Sequence, residues 1–517
     1  MATRNLLSGP ITLSEAKAKG FNVIHQLEYP HLQRAFFQRL ESQSHLIRNL
    51  IAHHLGVDAA NCDVSPPDYW RHGSFNVCVP ACVDAPDPEH PKFVMIRFPL
   101  PYRVGEATRP GNADEKLRCE AATYAWLQEN CPSVPIPHLY GVGLSTGQQW
   151  THVSHLPWWS RLLHGIQRRF WTLLGYPGPT SYIPHPSSAP TSLGLGYLVI
   201  ETIADTEGRM FSSSWDEKRE DDRLQRNLQR GLARILLSFA AVPLPRIGAF
   251  RLDDAGYIHL DNRPLSTELI MQENEDLPLN FSLDQTYDRV DDFVLAQLDT
   301  FSNRILHQPN TVPNDLDGRF EMAGLLAARA IFPQMLRRDL RSGPFVYTLT
   351  DLHRSNIIVD DDWNIVRIID LEFACSWPLE FQQPPYWLGG QCADEIDRTS
   401  FSPCLNLFIQ ILEEQEELLD TRAPEKLSSI MRNAWANETF WLSLAMGDPM
   451  VFSTIFWYRI LPYRLQLTID HTTDFTLLAN LWGSPDILQK KLQDHDQYLQ
   501  ELDSIFEDDV DVSKSNM

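Results

Sequence analysis

The chain of 517 residues carries 44 lysines and arginines against 67 aspartates and glutamates, a formal charge of −23, with 43% apolar and 21% charged residues. Such a length allows a sizeable core in two or three domains or one large bilobed unit, and 36 prolines imply many turns and connecting loops in a folded, soluble protein. The acidic balance argues against chain-wide attraction to nucleic acid or anionic lipid and leaves room only for a local basic site.

Residues 13–54 repeat their apolar positions at helical spacing, with Gly56 as the stop, so a helical leader over 1–60 is expected. FNVCVPACV and KFVMIRFPL follow, two β-branched and aromatic runs separated by a proline-containing turn, the pattern of an antiparallel hairpin. EKLRCEAATYAWLQENC reads as one helix ending before Pro132, and IPHLYGVGL and GYLVIETI as two more strands. Between those two strands lies an insertion, 151–192, rich in proline and tryptophan, with Trp158, Trp159, Arg161, Arg168 and Arg169. No Asp or Glu occurs from 151 to 200. The insertion can serve as a mobile lid or partner surface for an anionic substrate or membrane headgroup. The preferred reading is a packed segment whose arginines meet the acidic body and whose tryptophans pack.

From about residue 205 helical patterns dominate, interrupted by FVYTLTDLHRSNIIVDDDWNIVRIIDLEFA (345–374). After Phe506 few large apolar residues remain, and 496–517 is expected to be an unstructured acidic tail. The expected division is therefore a helical extension (1–60), a strand-rich unit with its insertion (61–203), a helical unit (204–495) and the tail. No internal repeat is visible.

Eight cysteines are too sparse for a disulfide framework and read as reduced thiols. Cys78 and Cys82 have a CxxxC spacing that can open a metal site, but no Cys/His pair follows closely, so they read as strand or loop thiols. The N-terminal stretch lacks the apolar run of a signal peptide, and nothing approaches 18 uninterrupted apolar residues. A cytoplasmic protein without a transmembrane segment is expected.

The interrupting stretch carries the chemistry. NIIVDDDWNIVRIID reads as strand, acidic turn at Asp360–Asp362, strand, so a hairpin brings Asn356 and Asp370 to the same end of the ladder. Two hard oxygen ligands facing one point suit Mg²⁺. Phosphoryl transfer requires such ligands, a carboxylate to orient the acceptor hydroxyl, and a cation with backbone N–H donors for the phosphates. Gly73, Ser74 and Phe75 form a turn at the mouth of the first strand, where unencumbered N–H groups can reach phosphate. Arg97 is the only cation in its apolar strand, and an ion pair with Glu120 on the next helix would hold it over the α- and β-phosphates. Singly each residue has an ordinary reading: a cap, a turn, a strand end, a surface cation, an exposed helix carboxylate. Their joint order is what carries the argument.

With TDLHRSN, IIDLE and FACSWPLEFQQPPYWL after Asp370, the set resembles the aminoglycoside phosphotransferase (choline kinase-like) branch of the protein-kinase-like fold, in particular its large fungal group. The resemblance spans about 69–388 and, more loosely, continues to 493. It implies an α+β, bilobed fold: a small N-lobe with an antiparallel sheet and one helix, and a larger, mainly helical C-lobe. It implies Asp351 as catalytic base, Asn356 and Asp370 as Mg²⁺ ligands, Gly73, Ser74 and Phe75 as phosphate loop, and Arg97 with Glu120 as the phosphate-positioning pair. By the same analogy Ile200, Glu201 and Ile203 form the hinge, with main-chain groups of Glu201 and Ile203 bonding adenine, and Met95 and Ile358 sandwich its ring. Two departures stand out. The family usually has Lys where this chain has Arg97, a planar fork rather than a point charge. It commonly has a loop-supporting His where this chain has Leu349.

The expected activity is therefore ATP/Mg²⁺-dependent transfer of the γ-phosphate to a hydroxyl of a small-molecule acceptor. The alternative, motivated by Arg97, is a pseudokinase-like nucleotide-binding or scaffold protein. A protein kinase fits less well because no activation segment with an APE-like end follows Asp370. Asp394, Glu395 and Asp397 can hold a cationic acceptor or simply be solvated charge, and antibiotic resistance does not follow from the family name.

Overall fold

The computed structural model describes residues 3–85, 90–187, 193–204, 206–279, 281–419, 425–466, 469 and 473–515, those beyond 507 as backbone only. The chain opens with a hairpin the sequence reading missed, β1 (Thr3–Leu6) and β2 (Gly9–Thr12). Strands of four residues carry too few positions for alternation to show. Four helices follow: α1 (Leu13–Lys17), α2 (Val23–Leu27), α3 (Tyr29–Ser42) and α4 (Ser44–Leu55). Gly56 ends α4 with φ 68°, a left-handed cap that favours glycine.

An antiparallel sheet forms the small lobe. Its strands are β3 (Cys62–Val64), β4 (Arg71–His72), β5 (Asn76–Val83), β6 (Phe93–Pro99), β7 (Leu139–Gly143), β8 (Gln149–His152), β9 (Tyr182–Pro184) and β10 (Tyr197–Glu201). They run in the order β3-β5-β6-β10-β7-β8-β9, with β4 on β5. The expected hairpin is β5–β6, and the expected helix is α5 (Asn112–Asn130); the N–H groups of Gly111, just before it, and Ala113, its second residue, donate to the Glu106 carboxylate at 2.8 and 2.9 Å. Strand alternation divides the sheet between two cores. Leu198 and Ile200 join the α5 side with Leu117, Ala121 and Tyr124. Tyr197, Val199, Ile96 and Phe98 join Leu40, Ile47, Leu50 and Leu55 of α3 and α4. The single lobe helix expected is thus matched by α3 and α4 on the opposite face, which are core elements rather than a leader. Each aliphatic side chain fully buried there contributes about 1.5–3 kcal/mol. The insertion between β8 and β9 is built on one helix, α6 (Trp158–Leu173).

The larger lobe is mainly helical, which makes the whole an α+β, bilobed fold. β11 (Arg209–Met210), α7 (Ser212–Lys218) and α8 (Asp222–Ala240) lead into it, and β12 (Ala249–Leu252) and β13 (Ile258–Asn262) form a hairpin. β14 (Phe345–Thr348) pairs with β17 (Cys375–Pro378). Between them β15 (Ile357–Val359) and β16 (Ile365–Ile368) make the expected hairpin, extended by β11. Long helices at Val290–His307, Asp315–Met335 and Arg398–Leu419 surround these strands. Among the described residues no helix is long and apolar enough to cross a membrane.

The expected tail is corrected in part. The last helix, Pro485–Ser515, buries Tyr498, Leu502 and Phe506 against Leu6, Ile11, Ala16 and Val23, and the Val23 N–H donates to the Tyr498 hydroxyl at 2.9 Å. Apolar residues at helical spacing were hidden among the acids. The side chains of 508–515 and the whole of 516–517, part of the expected tail, lie outside the described residues. Because Leu502 is fully buried, Leu502→Ala is expected to cost about 2–5 kcal/mol. Chemical denaturation should register that loss together with release of the N-terminal hairpin.

Candidate active site

The β15–β16 hairpin and the loops at its open end fix the acidic residues. Ile357 pairs with Ile368, and the Ile369 N–H donates to the Asn356 carbonyl at 2.9 Å, so Asn356 and Asp370 leave the ladder side by side. At the closed end the Asp360 carboxylate accepts from the N–H groups of Asp362 and Asn364, both at 2.9 Å, while Asp361 and Asp362 pair with Arg209 and Arg223. Asp360–Asp362 are turn-builders, as their spacing implies. Trp363, in a left-handed conformation with φ 59°, is buried beside Trp215 and donates from Nε1 to Ser214 at 3.0 Å. This anchor holds the hairpin from beneath.

Asp351 lies in the loop after β14. Asn356 Nδ2 donates to the Asp351 carbonyl at 2.8 Å, Trp387 Nε1 to the Leu352 carbonyl at 2.9 Å, and the Thr350 hydroxyl to the Phe373 carbonyl at 2.7 Å. The loop is therefore tied to both flanking segments. Burial, reinforced by the charges of Asp370 and Glu372, pushes the Asp351 carboxyl up to about 6. Asp370 itself is in the left-handed region with φ 61°, and its carboxylate meets Arg97. Non-glycine residues in that region concentrate where a side chain has to be aimed.

The small lobe answers with cations. Arg97 on β6 reaches Glu120 on α5 at 2.8 Å, the ion pair expected from the sequence, and also engages Asp370 and, at 3.3 Å, Glu372. Sequence reasoning missed a second buried cation, Lys116, one helical turn before Glu120. It pairs with Glu372 and donates to Asn76 Oδ1 at 2.8 Å, while Asn76 Nδ2 donates to Glu372 at 2.9 Å. Burial works against charge throughout this network. Arg97 is nonetheless held well above its usual range by the three acids, and Glu372 below its own by Lys116 and Arg97. Burial prevails at Glu120 and Asp370, which are raised. Glu120 Oε2 is buried without a hydrogen bond. The missed signals were a lysine on the sheet-facing side of α5 and a glutamate two residues past Asp370.

The remaining expected residues fall in several settings. The Gly73 N–H donates to the Asn76 carbonyl at 3.0 Å, so it closes the β4–β5 turn and is not the unencumbered donor expected. Phe75 is buried against Phe373, and Ser74 accepts from Arg103 at 2.7 Å through its carbonyl. Met95 pairs with Ile200 across β6 and β10. Ile358 alternates with the core residues Ile357 and Val359 and so faces away from their core. The Glu201 N–H donates to the His138 carbonyl at 2.8 Å, its carboxylate lies 3.5 Å from Arg367, and Ile203 follows just beyond β10. Cys78 and Cys82 sit on one strand about 13 Å apart, too far to share a metal. Asp397 caps the helix Arg398–Leu419, accepting from Thr399 and Ser400 at 2.7 and 2.9 Å, which is the ordinary reading of that acid.

A cavity of about 400 Å³ opens on the Asp351 side, lined by Trp377, Tyr386, Phe440, Met446 and Asp448 among others. Among the described residues no group of three or more His, Cys, Asp or Glu side chains is arranged to hold a metal ion, so a divalent cation bound here would need further ligands beyond these side chains. Asp351, Asp370, Glu372 and Glu120 place four carboxylates against the two cations Arg97 and Lys116. Asn356 turns its amide nitrogen to the Asp351 carbonyl, which leaves its amide oxygen, a hard donor, outside that bond.

No curated protein sequence is close enough to count as a match. Among solved structures, the Plasmodium vivax ethanolamine kinase is similar at 10% identity over 84% of this chain and 85% of that one, with a TM-score of 0.31, too slight a likeness to carry an inference. Residues 106–381, more than half the chain, match the model of APH, the phosphotransferase enzyme family. That segment holds Glu120, Asp351, Asn356 and Asp370, and the chain belongs to this family.

Proposed function

We propose that this protein is an ATP- and Mg²⁺-dependent phosphotransferase that moves the γ-phosphate to a hydroxyl of a small-molecule acceptor. Membership of the phosphotransferase family supports the reaction class. The observation that carries the finer reading is the placing of Asp370 beside Asn356, which bonds Asp351, while Asp370 itself pairs with Arg97 of the Arg97–Glu120 pair. In this reading Asn356 and Asp370 hold Mg²⁺, which supplies charge neutralisation at the phosphates. Arg97 steadies the phosphates from β6. Asp351 orients the acceptor hydroxyl and accepts its proton. The acceptor lies in the cavity beside Asp351, where aromatic walls exclude water and Asp448 offers a second polar contact. Met95 and Ile358 flank the adenine, with the Glu201 carbonyl and Ile203 N–H as its main-chain partners. The proposed lobe limits are 61–203 and 204–495, and the proposed setting is the cytoplasm.

One observation favours a second reading. Arg97 is engaged by three carboxylates at once, as expected if it ties the lobes together in a nucleotide-binding scaffold without turnover. Thermal melts with ATP, with and without Mg²⁺, are expected to show stabilisation that requires the metal. ATP consumption should then appear against some member of a panel of hydroxylated metabolites. Metal-independent stabilisation with no turnover across the panel would favour the scaffold.

A further inference from the structure

The insertion helix α6 contradicts the packed reading of its tryptophans. Trp158 is 70% exposed, Trp159 53%, Leu162 55%, Ile166 57%, Phe170 55% and Leu173 86%. At about 100° per residue these six side chains fall within an arc of about 100–140°. His164, buried and bonded to the Thr180 carbonyl at 2.8 Å, and the half-buried Trp171 lie on the opposite side, so they seat the helix and the apolar stripe points straight away from the body. A stripe of this kind is unusual on a soluble surface.

Charge indicates what covers it. Arg161 is exposed about 60° outside the Trp158 edge of the stripe and Arg169 is exposed about 20° inside that same edge, whereas Arg168 turns back to Glu129 at 3.1 Å. No Asp or Glu occurs anywhere from 151 to 200, in a chain of net charge −23. The repulsion of the acidic body is screened beyond about 8 Å at physiological ionic strength, so the local cations decide the contact. A convex, single-helix stripe of Trp, Phe and Leu edged by arginine has the composition of a helix that lies in the headgroup region of a bilayer. It is not a groove that would receive a peptide or helix. Leu174 and Tyr176, 51% and 62% exposed, prolong the apolar surface past the helix end.

We infer that α6 docks this protein on the surface of an anionic membrane, with its apolar stripe in the interface and Arg161 and Arg169 on the headgroups. The helix joins β8 to β9 at one edge of the sheet, while Arg97 stands on β6 and the turn at Gly73 between β4 and β5 toward the other. Docking is therefore separate from the proposed reaction, and its test does not depend on turnover.

The test is co-sedimentation of the full chain with vesicles of phosphatidylcholine alone and of phosphatidylcholine mixed with phosphatidylserine. The mixed vesicles should capture the protein. Leu162→Glu with Ile166→Glu should lower that partitioning about tenfold or more. Arg161→Glu with Arg169→Glu should lower it about tenfold on the mixed vesicles and leave the zwitterionic ones little changed. All four positions are exposed, so unchanged thermal melts certify the fold of both variants. Equal sedimentation of wild type and Leu162→Glu/Ile166→Glu would overturn the inference. So would wild-type protein that ignores both vesicles but self-associates through the stripe in analytical ultracentrifugation, which would make it a protein-binding face.

Discussion

Asp351→Asn is expected to lower kcat by about 10²–10⁴-fold while leaving Mg²⁺-dependent stabilisation by ATP nearly intact. The amide keeps the shape of the side chain, and of the loop's ties only a long one, from Asn356 Nδ2 at 3.5 Å, reaches the carboxylate. The loop is held through the Asp351 carbonyl by Asn356, through the Leu352 carbonyl by Trp387, and through Thr350 by the Phe373 carbonyl. What the substitution removes is the capacity to accept a proton beside the cavity. Turnover within a few-fold of wild type would end the assignment of Asp351 as base and leave it an orienting residue at most.

The unsubstituted enzyme should carry the same information in its pH profile. Burial first, then the charges of Asp370 and Glu372, raise the Asp351 carboxyl to about 6. A base works when deprotonated, so kcat/KM should be level above that pH and decline as pH falls through about 6. Positive charge at Asp370 in the loaded enzyme removes part of the repulsion. The corresponding limb in kcat should therefore lie at lower pH than in kcat/KM. Identical limbs in the two profiles would mean that the group being titrated is not coupled to Asp370.

How far the sequence foretold this site depended on how local its parts are. Asp351, Asn356 and Asp370 lie within one hairpin and its flanking loops, so alternation and turn chemistry were enough to bring them together. Arg97 and Glu120 stand on a strand and the next helix, and Arg97 was singled out as the lone cation of its apolar strand, although Glu120 also has Lys116 one turn before it. The bond from Asn76 to Glu372 joins positions 296 apart in sequence, and no local pattern announces it. Lys116 resembled any helix lysine until the sheet was seen to cover it. The Trp158–Leu173 helix failed for another reason. An amphipathic pattern says that a helix has an apolar side but not whether that side meets protein or something else. The short strands β3, β4, β8 and β9 went unnoticed because two to four residues hold too little alternation to detect.

The largest stability effect is expected at Lys116, not at Arg97. Lys116 is buried with Glu372, and both are almost fully removed from solvent. Lys116→Met leaves the Glu372 carboxylate with Asn76 and with Arg97 at 3.3 Å, while Arg97 is already shared with Glu120 and Asp370. A buried acid stripped of its main partner costs about 3–5 kcal/mol. Glu372→Leu in the same background removes the orphaned charge, so the double variant should recover most of that loss, and the cycle isolates the coupling between the pair. Arg97→Lys changes geometry rather than charge. A single ammonium cannot reproduce the fork that meets Glu120 through Nη1 and Asp370 through Nη2, so its cost should be smaller, about 1–3 kcal/mol. The ranking follows from what each change leaves behind, an unpaired buried acid in the first case and a displaced cation in the second. If Lys116→Met proves no more destabilising than Arg97→Lys, or if Glu372→Leu fails to rescue it, Lys116 does not hold the Asp370–Glu372 segment against the small lobe. Arg97, with the Asn76 amide on Glu372, would then join the two lobes at this site.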